Sequence, residues 1–366
     1  MSANTEREEE KDNMKLFTSE QVSAGHPDKI CDQISDAIVT ECLRQDKRSR
    51  VAVETLIKDY NIVVAGELTT EAVFDTNKLI QDTLARIGLE NVDKYQITNY
   101  IGKQSSDIAL GVDTGGAGDQ GMMFGYATAE TPEMMPLPYV LATRSLIKLK
   151  ELNHPELRPD AKSQVTYDYE NKRIHTFLIS TQHTDNISND DLHKVVRDVT
   201  IDTAREYGLN TDFEVLVNPT GRFVIGSSFG DSGVTGRKII ADTYGGKARH
   251  GGGAFSGKDP SKVDRSGAYI CRKIAKDIIR EELAFEVEIQ ISYAIGMEYP
   301  ISIAVDSYET ATLGDKFIEE YIQNNYDLTP RGIIKELDLL NIDYNQTSSY
   351  GHFGKPNLPW EVERGE

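Results

Sequence analysis

The sequence of 366 residues contains no run of 18 apolar residues, so it predicts no membrane-spanning helix. Residues 1–14 also lack the apolar stretch of a secretory signal peptide, and they are rich in glutamate. We therefore expect a disordered acidic tail over residues 1–14 and a cytoplasmic protein with no membrane partner.

Cysteine is scarce. The three cysteines, Cys31, Cys42 and Cys271, each lie in a helix-like pattern. Three scattered cysteines provide neither a disulfide framework nor the clustered spacing of a zinc site. The sequence predicts buried, unreactive thiols in a reducing compartment.

Basic residues are outnumbered, with 40 Lys and Arg against 59 Asp and Glu, and the net charge is −19. A nucleic-acid-binding protein needs a basic face for the phosphate backbone, so nucleic acid is not an expected partner. The length predicts two or three domains, and an apolar content of 39% is ordinary for a globular protein.

A helix, a β-hairpin and a second helix recur three times, starting near residues 28, 138 and 264. This repeat predicts an α+β fold of three units, each with helices on one face of a small antiparallel sheet. The predicted helices cover residues 28–44, 76–87, 139–152, 189–207, 265–283 and 314–324. The predicted strands cover residues 50–57, 62–68, 164–169, 173–181, 287–295 and 301–308. We predict domains over residues 15–112, 113–229 and 230–366.

Some predicted strands are apolar on both sides, as in residues 62–65 and 289–291. The face of the sheet that the helices leave open then needs another cover. We expect a second subunit to provide it, so the sequence predicts a homo-oligomer.

The most unusual segment is the glycine-rich stretch from residue 245 to 265. Six of the thirteen residues from 245 to 257 are glycine, and residues 237–265 carry a local charge of +4 in an acidic chain. Such a segment suits a compact polyanion such as a nucleotide phosphate chain. A mobile surface loop is the alternative. A P-loop is excluded, because Asp259 replaces the expected Ser or Thr and no strand is predicted before the loop.

Two further segments carry acids and bases close together. In Gly25-His26-Pro27-Asp28-Lys29, at the first turn of a predicted helix, His26 could donate to a phosphate and Asp28 could hold Mg²⁺. Alternatively, Asp28 merely caps the helix and His26 is solvated. Residues 230–238 form a second glycine-rich turn with Asp231, Arg237 and Lys238.

The last candidate binding residues are charged residues in predicted strands. Glu54 and Glu67 lie on neighbouring strands of an otherwise apolar hairpin, where a buried carboxylate needs a cation, so a metal ion or an ammonium group is expected there. Asp160 and Lys162 are two residues apart and would face the same side of an extended chain. A surface ion pair is the alternative for this second pair.

Several of these stretches together resemble the S-adenosylmethionine synthetase family, over residues 16 to 361 in unbroken order. The most specific are residues 251–259, Gly-Gly-Gly-Ala-Phe-Ser-Gly-Lys-Asp, and 116–121, Gly-Ala-Gly-Asp-Gln-Gly. The others are residues 25–29, 102–105, 158–162 and 220–224.

The resemblance implies a three-domain fold with pseudo-threefold symmetry and a dimer with shared active sites, which is often paired into a tetramer. It implies attack of the methionine sulfur on C5′ of ATP. Tripolyphosphate is then released and hydrolysed to pyrophosphate and phosphate. Two Mg²⁺ and one K⁺ assist in each site.

Roles for individual residues also follow from the resemblance. Matching positions make Asp28 a Mg²⁺ ligand and Glu54 the K⁺ ligand. The methionine-binding positions are Glu67, Gln104, Asp231 and Lys262. The ATP- or polyphosphate-binding positions are His26, Asp160, Lys162, Arg222, Phe223, Asp231, Arg237, Lys238, Ala254 and Lys258. Of these, the catalytic positions are His26, Lys162, Asp231, Arg237 and Lys258.

The sequence departs from the family pattern in two places. The connection from Gln104 to Gly116, which resembles a mobile lid over the active site, is shorter than in many bacterial relatives, so closure and turnover are the properties in doubt. The chain also ends soon after Trp360, and we expect the chemistry not to depend on that end.

Two rival functions use the same cations. In a nucleotidyl- or phosphotransferase the substrate attacks phosphorus, and ADP or AMP is released. A catalytically inactive nucleotide-binding subunit would lack some acid or lysine of the pattern, whereas every matched position is filled in this chain.

Overall fold

The computed structural model describes residues 14–103 and 116–363. The helices are α1 Pro27–Gln45, α2 Thr76–Ile87, α3 Leu137–Glu151, α4 Asn189–Glu206, α5 Ser227–Gly230, α6 Ile239–Asp242, α7 Val263–Arg280, α8 Asp315–Asn325 and α9 Pro330–Glu336. The strands are β1 Leu16–Val22, β2 Arg50–Lys58, β3 Asn61–Thr69, β4 Gln96–Gly102, β5 Gly121–Thr128, β6 Leu157–Asp168, β7 Arg173–His183, β8 Glu214–Val217, β9 Gly233–Val234, β10 Glu286–Tyr293 and β11 Ser302–Asp306.

The chain divides into two compact units, Met1–Ser23 with Leu137–Gly226 and Ala24–Pro136 with Ser227–Glu366. The first unit is built on one sheet in the order β1-β6-β7-β8, in which β7 and β8 run parallel and the other pairs antiparallel. Helix α3 packs on β1 and β6, and α4 packs against α3 and β8. Buried apolar side chains such as Val165, Phe177 and Leu146 form its core.

The second unit contains two sheets. One has the order β4-β3-β2-β9, with β3 and β4 parallel. The apolar stripe of α1, including Ile30 and Ile34, packs with Ile80 and Leu84 of α2 and with the buried face of the hairpin β2–β3. The amphipathic pattern of these two helices therefore covers one face of this sheet.

The other sheet of the second unit has the order β11-β10-β5 and is antiparallel throughout. Helix α7 packs on β5 and β10. A Cβ at Gly125 of β5 would lie 2.1 Å from the backbone carbon of Cys271 in α7, so the helix approaches the strand at a distance that only glycine permits.

The predicted α+β fold and its threefold repeat of helix, hairpin and helix are confirmed. Two details are wrong. Two of the sheets are mixed rather than antiparallel, because β4 and β8 add a parallel strand to each hairpin after the second helix. The strand predicted over residues 164–169 begins at Leu157. Strands β1, β5 and β9 extend hairpins that lie far away in sequence, a pairing that local patterns do not reveal.

The predicted tail lies outside the described residues, apart from Met14. The predicted domain limits at 15–112, 113–229 and 230–366 stay a prediction. All three cysteines are buried and form no disulfide, as predicted. None of the helices in the described parts of the chain has the length and apolarity needed to cross a bilayer.

Candidate active site

Helix α1 begins with a histidine cap. The Nδ1 of His26 accepts a hydrogen bond from the backbone N–H of Asp28 at 3.2 Å, and Pro27 occupies the first turn, where its missing N–H costs nothing. His26 is 4% exposed. The alternative in which Asp28 caps the helix and His26 is solvated is therefore wrong. The imidazole of His26 caps the helix, and the carboxylate of Asp28 can contact other groups.

The carboxylate of Asp28 is surrounded by donors. It accepts from the backbone N–H of Val234 at 2.9 Å and from the Nζ of Lys238 at 2.8 Å, and the Nε of Arg237 lies 3.6 Å away. Burial alone would raise the pKa of this carboxyl, but the hydrogen bonds from Lys238 and Val234 outweigh it and lower the pKa below its usual range. Asp28 is therefore ionised at neutral pH.

Three aspartates form an acidic stripe on α1. Asp28, Asp32 and Asp36 are four residues apart, so they share one face of the helix. They accept backbone N–H groups from Val234 at 2.9 Å, from Gly236 at 2.8 Å and from Gly257 at 2.9 Å, respectively. The stripe thus fixes both glycine-rich segments against one helix. The sequence prediction missed Asp32 and Asp36, although three acids repeated every four residues along one helix were a usable signal.

A fully buried lysine lies between two elements of the site. The Nζ of Lys29 donates to Asp32 at 3.0 Å and to Asp242 of α6 at 2.5 Å. Burial raises the pKa of Asp32 to about 7, with Lys29 opposing the shift and Asp242 adding to it. The three charges link the start of α1 to the segment that leads into the glycine-rich loop.

Each of four cations in the glycine-rich loop has a carboxylate partner. Lys258 lies 2.6 Å from Asp264, Lys262 2.5 Å from Asp259, Arg249 2.6 Å from Glu288 and Lys247 3.4 Å from Glu286. The local charge of +4 over residues 237–265 already includes Asp259 and Asp264, and Glu286 and Glu288 of β10 offset two further charges, although the sequence does not place them nearby. A phosphate chain bound here would compete with these carboxylates.

The two glycine-rich segments meet at Gly236. A Cβ at Gly236 would lie 2.5 Å from the Cβ of Ala254, so this predicted nucleotide-binding residue packs directly against the turn after Asp231. Asp231 itself is exposed, and its side chain accepts from the N–H of Ser232 at 2.7 Å. Within the second unit the structure thus brings His26, Asp28, Arg237, Lys238 and Ala254 to one region.

Glu54 and Glu67 lie on the exposed face of the hairpin β2–β3. Glu54 pairs with Ala65 and Glu67 with Ala52, so the two residues are diagonal neighbours on one face of the hairpin. The argument from burial is therefore wrong, because both glutamates are exposed and the buried Val51, Val53 and Val64 lie on the opposite face. Large apolar groups share the exposed side of this sheet, with Leu56 43% and Tyr100 69% exposed.

Four predicted residues belong to the first unit. Asp160 is buried on β6, whereas Lys162 is exposed. The pairing of β6 with β7 shifts register between Leu157 and Ala161, next to Asp160. That Asp160 and Lys162 face the same side stays a prediction. Arg222 forms an exposed ion pair with Asp185 at 2.8 Å, and the backbone N–H of Phe223 lies 3.1 Å from the Nε2 of His183.

Gln104 and the predicted lid from Gln104 to Gly116 lie outside the described residues, except for Gly116. Over residues 14–103 and 116–363, no group of three or more His, Cys, Asp or Glu side chains is arranged to hold a metal ion.

Comparison with known proteins gives a consistent result along the whole chain. Residues 14–106 match the family model "S-adenosylmethionine synthetase, N-terminal domain", residues 114–223 match the central domain and residues 225–362 match the C-terminal domain of the same family.

Two bacterial proteins illustrate the similarity. The S-adenosylmethionine synthase of Mesoplasma florum is 48% identical over 366 residues, which cover 95% of this chain and 97% of the relative. The S-adenosylmethionine synthase of Akkermansia muciniphila is 47% identical over 372 residues, which cover 94% of each chain.

Proposed function

Because this chain belongs to the S-adenosylmethionine synthetase family, it is a methionine adenosyltransferase that makes S-adenosylmethionine from ATP and L-methionine, and we propose that Asp28 and the cations around it form the phosphate end of its active site. The observation that carries this proposal is the contact of one ionised carboxylate with Lys238 at 2.8 Å and Arg237 at 3.6 Å, at the N-terminus of a helix. Such an arrangement of charges suits a phosphate group and a divalent cation together.

The proposed chemistry is attack of the methionine sulfur on C5′ of ATP, with tripolyphosphate as the leaving group. The thioether sulfur is neutral, so it needs no general base. Negative charge grows on the departing phosphate oxygen, and Lys and Arg side chains directed at it stabilise the transition state. The same cations then hold tripolyphosphate for hydrolysis to pyrophosphate and phosphate.

We assign roles by position in the family pattern. His26 contacts ATP near the C5′–O bond that breaks. Asp231 and Lys262, with Glu67 and Gln104, contact methionine. The remaining residues bind ATP and its phosphates: Asp160, Lys162, Arg222, Phe223, Arg237, Lys238, Ala254 and Lys258.

The family uses a divalent metal, and we propose two Mg²⁺ and one K⁺ in each site. Asp28 fits as a magnesium ligand, because Mg²⁺ is commonly held by one or two carboxylates together with phosphate oxygens. Glu54 would hold K⁺ on the exposed face of the hairpin. When bound, these cations neutralise charge on the phosphate chain.

We also propose a homodimer with shared active sites, or a tetramer built from two such dimers, in the cytoplasm. The exposed face of the sheet β4-β3-β2-β9, with Leu56 and Tyr100, supports an oligomer because large apolar groups on a sheet favour a protein partner.

Product analysis tests the function. Incubation with ATP, methionine, Mg²⁺ and K⁺ should give S-adenosylmethionine, pyrophosphate and phosphate in equal amounts, with neither ADP nor AMP. Omission of methionine is the control. ADP or AMP in amounts equal to turnover would contradict attack at carbon and support a phosphotransferase or nucleotidyltransferase.

A further inference from the structure

The part of the glycine-rich loop that carries Lys258 runs along strand β2. The N–H of Val53 donates to the carbonyl of Gly257 at 2.9 Å, and the N–H of Asp259 donates to the carbonyl of Val51 at 3.1 Å. Gly257 has a φ of 83°, and a Cβ there would lie 2.0 Å from the carbonyl oxygen of Val53. The strand therefore fixes one side of the loop at a distance that only glycine permits.

The other side of the loop is held by Asp36, the last residue of the acidic stripe on α1. Its two carboxylate oxygens accept from the backbone N–H of Gly257 at 2.9 Å and from the Oγ of Ser256 at 3.1 Å. The backbone just before Lys258 is thus held between a strand and a helix.

Arg265, in the first turn of α7, completes this support. It forms a bidentate pair with Asp36 at 2.7 and 2.8 Å and donates to the backbone carbonyl of Lys258 at 3.0 Å. It also donates to Thr347 at 3.1 Å and to the hydroxyl of Tyr269 at 3.0 Å. All five N–H groups of the guanidinium are therefore used.

This ion pair is fully buried, with both side chains 0% exposed. Desolvation of two such charges offsets much of their attraction, so a buried ion pair is by itself a poor source of stability. Three of the hydrogen bonds formed by this pair go to Ser256, Gly257 and Lys258 of the loop. These bonds indicate that the pair fixes the conformation of the loop.

We propose that Asp36 and Arg265 are positioning residues, which hold the loop backbone at residues 256–258 so that the ammonium group of Lys258 meets the phosphate chain. The inference rests on the proposed function, in which Lys258 binds the polyphosphate. Both side chains are fully buried, so substitution at either should alter phosphate affinity through the loop alone.

The test compares two arginines of α7. Arg272 is also 0% exposed and forms a bidentate pair with Glu361 at 2.9 and 2.9 Å, but its other bonds go to carbonyls outside the loop. Arg265→Lys and Arg272→Lys each keep the positive charge but lose the planar guanidinium group that binds a carboxylate at two points. Both should therefore lower the Tm by a similar amount. Binding of inorganic tripolyphosphate at saturating MgCl₂ is measured by calorimetry on the full chain.

The expected result is a Kd for tripolyphosphate at least tenfold higher in Arg265→Lys and within twofold of the parent in Arg272→Lys. Equal weakening in both variants, or none in Arg265→Lys, overturns the positioning role. If Arg265→Lys does not fold, Ser256→Ala replaces it, with an expected two- to fivefold increase in Kd.

Failure of the proposed function gives a different result. If the parent does not bind tripolyphosphate, or if Lys258→Ala binds it as tightly as the parent, the phosphate site itself is wrong and the inference fails with it. If the parent binds, Lys258→Ala weakens binding and Arg265→Lys has no effect, only the inference fails.

Discussion

The Nζ of Lys238 lies 2.8 Å from the Oδ2 of Asp28, so the proposed magnesium ligand has an ammonium partner in the fold. The carboxylate is 2% exposed and also receives the backbone N–H of Val234, which keeps it ionised without a metal ion. A cation that binds here has to share this carboxylate with Lys238. Binding of metal and movement of Lys238 toward a phosphate are therefore expected to be coupled.

Asp28→Asn tests this site. The amide preserves the bond from Val234 but loses the charge, so we expect activity to fall at least 100-fold while the Tm changes little. Initial rates over a Mg²⁺ titration and a thermal melt check both parts. Asp82→Asn, an exposed acid of α2 paired with Lys78, is the control and should behave like the parent. Near-normal activity at saturating Mg²⁺ would contradict the assignment.

Glu54 and Glu67 provide matched controls for each other, because they share one face of one hairpin. Glu54→Gln should weaken activation by K⁺ with little effect on the KM for methionine, and Glu67→Gln should do the reverse, each by about tenfold. Rates over K⁺ and methionine titrations separate the two effects. If the two variants behave identically, neither the K⁺-binding role of Glu54 nor the methionine-binding role of Glu67 holds.

The local pattern of the sequence was sufficient for most of the fold. Apolar periodicity predicted three copies of helix, hairpin and helix, with limits within a few residues except for the start of β6, because each element buries a stripe of its own. The pairing of β1 with β6 and of β5 with β10 was not predictable, since each strand joins a hairpin far away in sequence.

The candidate site was predicted in part. The motif of residues 25–29 and the two glycine-rich segments do meet at α1, through Asp28, Gly236 and Ala254. The burial of Glu54 and Glu67 was wrong, because the sequence does not show which face of a strand is covered. Pairing of Arg249 and Lys247 with Glu288 and Glu286 could not be inferred, since β10 is about 40 residues away.

The buried group of Lys29, Asp32 and Asp242 predicts a dependence of stability on pH. Burial raises the pKa of Asp32 to about 7, whereas in the unfolded chain it is close to 3.8. The folded protein therefore binds the proton on Asp32 more tightly than the unfolded chain does. The free energy of unfolding that this proton contributes is lost as the pH rises from about 4 to about 7, by at most about 1.4 kcal/mol per pH unit.

Asp32→Asn removes this titration. The Tm of the variant relative to the parent should therefore rise between pH 5 and pH 8, as measured by thermal melts in matched buffers. Asp59→Asn, an exposed acid beside Lys58, is the control and should show a constant difference. A constant difference for Asp32→Asn would show that the residue has the same pKa in both states.

The C-terminal segment contributes to stability through Glu361. This carboxylate is buried and bonds Arg272 at 2.9 Å and Lys276 at 2.6 Å, and both cations lie on α7. Glu361→Ala leaves two buried cations without their acid and should lower the free energy of unfolding by about 3–5 kcal/mol. Glu363→Ala, at an exposed position, should cost less than about 0.5 kcal/mol. Denaturant unfolding of both variants measures the difference, and equal values would contradict the role of Glu361.

Arg237 provides the sharpest test of the proposed two-step chemistry. Its side chain is half exposed and its Nε lies 3.6 Å from Asp28, so it can reach a phosphate chain bound beside that carboxylate. Attack at C5′ releases one highly charged anion, which leaves slowly from a site rich in cations, and cleavage divides that charge between two smaller products.

Arg237→Ala should therefore slow tripolyphosphate hydrolysis at least tenfold more than formation of S-adenosylmethionine, and tripolyphosphate should accumulate on the enzyme. Single-turnover measurements of both products check this. Arg48→Ala is the control, because this side chain is 80% exposed and pairs with Asp46 and Glu71. Equal slowing of the two steps would remove Arg237 from this role.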